Sequence, residues 1–147
     1  MLDAREDAQH LGCVTAPRSA AALDPRIVAD FVQRTASGEA STWLLYLAAR
    51  RAFASDAALA DALGVHRSQV ARWKRGGQAD PANEERLRDL GTVVESLTGY
   101  LEPDAISDWL TGVNAQLGHR RPIDVVLDGR VAEAIGAVEA EKRGAYA

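Results

Sequence analysis

The sequence predicts an all-α protein, a helical bundle, and three observations carry that prediction. Apolar residues recur three and four positions apart, as they do on one face of a helix. Gly and Pro punctuate these runs about where helices should stop and start, as at Gly38, Gly64, Pro81, Gly99, Pro103, Pro122 and Gly129. Nothing in the pattern demands a β-sheet.

A chain of 147 residues buries one core, with room for a helical appendage, so one or two small units are expected. Its 47% hydrophobic and 26% charged residues are ordinary for a soluble globular protein. No run approaches the roughly 18 to 20 apolar residues that cross a bilayer, so no membrane partner is expected. The N-terminus has early acids and no continuous apolar core, unlike a secretory signal, and a cytoplasmic location follows. Cys13 is the only cysteine, and His10, His66 and His119 are scattered. That excludes an internal disulfide framework and a cysteine-based zinc site, so neither metal nor cofactor is expected.

Taken in order, residues 1–22 are a mobile arm with weak periodicity and many small side chains. Asp24 and Pro25 suit the cap and first position of a helix whose Ile27, Val28, Phe31 and Val32 share a face and which Gly38 ends. Ser41 or Thr42 can cap a second helix, with Trp43, Leu44, Leu47 and Ala48 as its stripe and Arg50 and Arg51 near its end. The stretch ALADALGVHRSQVARWKRGG supplies two short helices separated by Gly64. From Pro81 a longer helix carries Leu87, Leu90, Val94, Leu97 and Leu101 at helical steps and runs to about Gly99. Then come a short helix with Ile106, Trp109 and Leu110, an irregular Gly112 to His119 segment, and helical turns from Pro122 through Val138.

Charge is segregated along this chain of net charge −4. Arg50 to Gly76 holds six cations against Asp56 and Asp61, while Gln78 to Ser107 holds Arg86 and Arg88 against seven acids. A solvated face ordinarily mixes signs, whereas a phosphate-binding face gains by excluding acids, because each neutralised phosphate releases counterions.

Spacing sharpens that contrast. Two steeply crossing helices need a tiny residue at their closest approach, a residue tolerant of positive φ at the turn, and an aliphatic anchor beyond it. Ala60, Gly64 and Val70 meet these needs, with Leu59, Leu63 and Trp73 pointing inward. The pattern, ending in RWKRG, resembles the helix-turn-helix of Xre-like repressors, and residues 23–80 are taken as that domain. The start of the second helix then faces the major groove. Its candidates are His66, Arg67, Ser68, Gln69 and Arg72, with Arg67, Gln69 and Arg72 as base readers and Lys74 and Arg75 as phosphate clamps. Where many Xre-like motifs begin the first helix with a backbone-touching Gln, this chain has Asp56, an acid that weakens such a contact. One motif binds weakly, so a homodimer on palindromic operator DNA is the geometric expectation.

Residues 81–147 form the second module. From its residues alone, WLTGVNAQLGHRRPIDVVLDG reads as helix, irregular loop, Pro-initiated turn and Gly stop. The stretch is also similar to the toxin-binding domain of Xre/MbcA/ParS antitoxins, through Trp109, Leu110, Asn114, Leu117, Gly118, Arg121, Pro122, Ile123, Asp124, Leu127 and Gly129. It departs from the family at Ala115, where Pro is common, and at His119 and Arg120, where another Gly is frequent. The resemblance implies the antitoxin of a type II toxin-antitoxin pair. Its partner would be a RES-domain toxin acting on NAD, neutralised by direct binding within a larger complex, and the helix-turn-helix would repress the shared promoter. It also implies that Ala134 to Ala147 lies near the toxin's NAD site, with Lys142, Arg143 and Tyr146 reaching an anionic pocket; a frayed end is the plainer reading of that tail. Trp109, Leu117, Ile123 and Leu127 should be core, while Asn114, Arg120, Arg121 and Asp124 either address the partner or cap helices.

No catalytic constellation can be assembled: there is no Gly-rich phosphate loop, no zinc spacing and no nucleophile-base pair. A free-standing repressor is the main rival to an antitoxin, and a pure interaction protein with a basic helix is a third. A neighbouring RES-type reading frame separates the first two, and salt-dependent sequence-specific DNA binding separates both from the third.

Overall fold

The computed structural model describes Arg26 and residues 40–145. Arg26 is helical and exposed. The expected arm and the expected helix from Asp24 to Gly38 otherwise lie outside the described residues, as does Tyr146. Residues 40–145 fall within one compact unit.

Seven α-helices are described: α1 (Ala40–Arg50), α2 (Asp56–Leu63), α3 (Arg67–Lys74), α4 (Pro81–Leu97), α5 (Pro103–Thr111), α6 (Pro122–Leu127) and α7 (Val131–Ala145). A 3-10 turn, Ala115–Leu117, sits between α5 and α6. No strand occurs among the described residues, only isolated bridges between Thr98 and Leu101 and between Asn114 and Arg120. The all-α architecture is as the sequence predicts.

Several helix starts have a local cause. Ser55 caps α2 by accepting the Ala58 N–H at 3.1 Å, and Asp80 caps α4 by accepting the Asn83 N–H at 2.9 Å. Pro81, Pro103 and Pro122 open α4, α5 and α6, where a missing N–H costs no helical bond.

The central helix is α4. Leu87, Leu90, Gly91, Val93, Val94 and Leu97 are all buried, a stripe wide enough to pack against α1 on one side and α6 and α7 on the other. One hydrophobic cluster therefore runs from Tyr46 to Val138, and it crosses the Asp80–Pro81 junction where the sequence suggests a division.

Two expectations for α1 are corrected. Ser41 and Thr42 lie inside the helix, not at its cap, and the buried face is Thr42, Tyr46 and Ala49. Leu44 and Leu47, expected in the stripe, are 43% and 39% exposed. The phase is set by two polar residues whose burial is satisfied by hydrogen bonds: Thr42 Oγ1 accepts the Ala79 N–H at 3.2 Å and the Tyr46 hydroxyl donates to Asp56 Oδ1 at 2.7 Å. A hydrophobicity count ranks leucines above both and rotates the helix the wrong way.

At the other end, α4 stops at Leu97, and Leu101 is half-buried in the turn beyond it. The helical run expected from Pro122 to Val138 divides into α6 and α7 at Asp128 to Arg130. Leu117 and Ile123 are core as expected; Trp109 and Leu127 are only half-buried, while Val125 and Val126 are completely enclosed.

Candidate functional site

Helices α2 and α3 are joined by a tight turn at Gly64, whose φ of 67° lies in the left-handed region. A Cβ there would meet nothing within 4 Å, so glycine is required by the backbone angle and not by crowding. The Gly64 N–H donates to Asp61 O at 3.2 Å and the Val65 N–H to Ala60 O at 3.0 Å, which closes α2 and turns the chain into α3. Ala60, Leu59, Leu63, Val70 and Trp73 are buried, as the spacing requires of two crossing helices. Trp73 is completely enclosed and is an anchor, not a base-stacking ring.

On the outer side of α3, His66 is the cap. Its Nδ1 accepts the Ser68 N–H at 3.2 Å and lies 2.7 Å from Ser68 Oγ, so these two side chains first serve the helix start. Arg67, Arg72, Lys74 and Arg75 are exposed, and Arg67 enters no ion pair among the described residues. Gln69 departs from expectation. It is half-buried, and its Oε1 is shielded from solvent without a hydrogen-bond partner. One turn before Trp73, it sits on the edge of the buried face, where a base edge is harder to reach than from Arg67 or Arg72.

The cations are arranged by their surroundings. Arg72 is wrapped by the chain that follows α3: Gly77 donates its N–H to Arg72 O at 2.9 Å, and Arg72 Nη2 donates to Gln78 O at 3.3 Å. Lys74 Nζ lies 3.2 Å from Asp56 Oδ2, while Asp56 Oδ1 also accepts from Arg50 Nε at 2.8 Å. The Tyr46 hydroxyl bond, with Arg50 and Lys74 adding to it, holds the Asp56 carboxyl below the usual carboxylate range against some desolvation. In return, burial and then the Asp56 bond push the Tyr46 phenol from 10.0 up to about 12. Asp56 was expected to weaken a phosphate contact; the structure shows it engaged with three donors from α1 and α3.

The C-terminal candidates are mostly occupied by their own chain. Asn114 Oδ1 accepts the Gln116 N–H at 2.8 Å, and its backbone pairs with Arg120, closing the loop. Arg120 donates to Leu117 O at 2.9 Å and approaches Glu133 at 3.2 Å. Arg121 and Asp124 form a two-pronged pair with both distances 2.7 Å, and this pairing holds the guanidinium in its charged form. Lys142 lies 3.9 Å from Glu139, and Arg143 is exposed near the end of α7. Helix α7 also spends Ala134, Ala137 and Val138 on the core, so only its outer face and last turns remain available to a partner. Sequence reasoning missed the role of Glu133, which receives both Arg120 and Arg130 and lies below its usual range chiefly through the Arg130 bond.

No cluster of three or more His, Cys, Asp or Glu side chains suited to a metal occurs among the described residues, and none of their helices is long and apolar enough to cross a membrane.

Comparison with known proteins bears on this two-faced bundle. No family model matches the chain. The mycobacterial cidal antitoxin MbcA of Mycobacterium bovis is 34% identical over 79 residues, which cover 52% of this chain and 69% of that protein. The chain belongs to the MbcA antitoxin family. MbcA of Mycobacterium tuberculosis matches equally, and a probable mycobacterial cidal antitoxin of that organism is 31% identical over 78 residues, 68% of its length. A chain in the crystal structure of the M. tuberculosis MbcT-MbcA toxin-antitoxin complex superposes with a TM-score of 0.60 at 27% identity, covering 70% of this chain and 94% of its own. Family membership and the superposition support antitoxin function.

Proposed function

We propose that this MbcA-family antitoxin neutralises a cognate RES-domain toxin by direct binding and represses its own operon through α2 and α3. The superposition on a chain taken from a toxin-antitoxin complex carries the first half. The second half is supported by the buried Ala60, Val70 and Trp73 beneath an outer side that presents Arg67 and Arg72. In this reading the chain is a cytoplasmic binder without catalytic activity, and a homodimer sets two copies of α3 on a palindromic operator. Arg67 and Arg72 read bases, Lys74 and Arg75 approach phosphates, and His66 and Ser68 set the start of the reading helix. The toxin-binding surface in this reading is the outer side of α7 with Lys142 and Arg143, while Asn114, Arg120, Arg121 and Asp124 shape the loop beside it.

Co-expression with the product of the adjacent reading frame tests both halves. Growth should be restored and the two proteins should co-purify. The Arg67→Ala/Arg72→Ala variant should still rescue growth while losing the promoter duplex. Failure of the wild-type chain to rescue growth or co-purify sinks the antitoxin reading, and unchanged promoter binding by the double variant sinks the DNA-reading role of α3.

A further inference from the structure

Resting on that DNA-binding reading, we infer that Asp56 is an internal stand-in for a DNA phosphate, which occupies Arg50 and Lys74 and thereby restrains sequence-independent binding. Its carboxylate stands at the first residue of α2, within the most basic stretch of the chain. One oxygen receives Tyr46 Oη at 2.7 Å and Arg50 Nε at 2.8 Å, and the other receives Lys74 Nζ at 3.2 Å. These donors are of the kind a phosphate oxygen takes, and the start of α2 also favours negative charge. Asp56 and Arg50 are 28% and 29% exposed, so this pair is screened less than a surface pair, whereas Lys74 at 61% remains accessible to a competing anion.

The cations of the basic stretch therefore divide into two sets. Arg50 and Lys74 already have a counter-anion supplied by the fold, and a phosphate reaching them must displace it. Arg67 and Arg72, the base readers, face no carboxylate in any ion pair among the described residues. Affinity for arbitrary DNA comes almost wholly from phosphate neutralisation, whereas base contacts contribute only at the right sequence. Withdrawing two phosphate-seeking cations thus lowers binding to wrong sequences by a larger share, and Asp56 acts as a specificity-determining residue that touches no base.

The experiment measures binding of the full chain to its own promoter duplex and to a scrambled duplex across a salt series, for wild type, Asp56→Asn, Asp56→Asn/Lys74→Met and Arg67→Ala. Asp56→Asn should bind the scrambled duplex about five-fold more tightly at 0.15 M salt per phosphate gained, with a log-log salt slope steeper by about 0.9. The gain should shrink in the double variant, where only Arg50 is released, which a merely structural role for Asp56 does not predict. Asp56→Gln, a second neutral replacement, should reproduce the gain, and thermal melts verify that each variant is folded. Unchanged or weaker scrambled-duplex binding by the folded neutral variants overturns the inference. Unchanged discrimination between the two duplexes in Arg67→Ala overturns instead the base-reading role of α3, and no binding of either duplex by wild type and Asp56→Asn overturns both.

Discussion

Gly77 lies against Arg72 so closely that a Cβ added to it would stand 2.5 Å from Arg72 Cγ and 3.1 Å from Arg72 O. The loop after α3 therefore folds over the stem of an arginine whose head is exposed, which limits the directions in which that head can point. The closing Gly-Gly of RWKRGG is a device for aiming a side chain as much as for ending a helix.

Gly77→Ala should accordingly push Arg72 and the loop apart. Overpacking of this kind costs about 1 to 3 kcal/mol, readable by urea denaturation. Discrimination between the promoter duplex and a duplex altered under Arg72 should fall as well. Unchanged stability and unchanged discrimination would show that the loop yields freely.

The Tyr46 and Asp56 pair makes stability depend on pH at both ends. The Tyr46 phenol is raised from 10.0 to about 12, so its contribution is complete below pH 10 and is lost as pH rises toward about 12, on the order of 2 kcal/mol. The lowered Asp56 carboxyl works in the opposite sense: its contribution is present above about pH 4 and lost as pH falls through its folded value. Tyr46→Phe should flatten the alkaline limb of a plot of urea midpoint against pH and move the onset of acid destabilisation. A retained alkaline limb would assign it to another group.

His119 takes φ of 60° directly after Gly118 at 64°, a left-handed angle that costs a side-chain-bearing residue about 1 to 2 kcal/mol. His119→Gly should relieve this at some cost in chain entropy, for a net gain of up to about 1 kcal/mol by chemical denaturation. A loss of stability would mean that the imidazole makes contacts outweighing the backbone cost.

Because Ala134, Ala137 and Val138 belong to the core, removing residues 134–147 would damage the fold along with any partner surface. Charge reversal near the end of α7 separates the two. Lys142→Glu/Arg143→Glu should leave the folding free energy from urea denaturation within about 0.5 kcal/mol of wild type, as surface substitutions do. It should weaken co-purification with the toxin at least ten-fold; full retention would exclude these cations from the interface.

Much of this molecule is legible from residue order because the governing interactions are local. Pro81, Pro103 and Pro122 start helices and Gly64 turns the chain through backbone geometry alone, so spacing reveals them. The burial of Ala60, Val70 and Trp73 follows from the same spacing. What escaped were interactions between residues far apart in sequence. Tyr46 and Thr42 face inward because Asp56 and Ala79 wait there, and no periodicity in α1 records those partners. Gln69 looks like a base reader until Trp73 fixes the rotation of α3. Lys74 looks available to phosphate until Asp56, 18 positions away, is found beside it.

Helix α4 packs against α1 of the basic half and against α6 and α7 of the C-terminal half, within one continuous hydrophobic cluster. Residues 40–145 should therefore melt in one step, and the two activities should rise and fall together under heat, denaturant or proteolysis. A genetic screen would recover lesions in Leu87, Leu90 or Val94 as pleiotropic, defective in promoter and toxin assays alike. Only surface changes can separate the phenotypes, so under the proposed function a cell that degrades this chain would derepress its operon and release its partner in a single event.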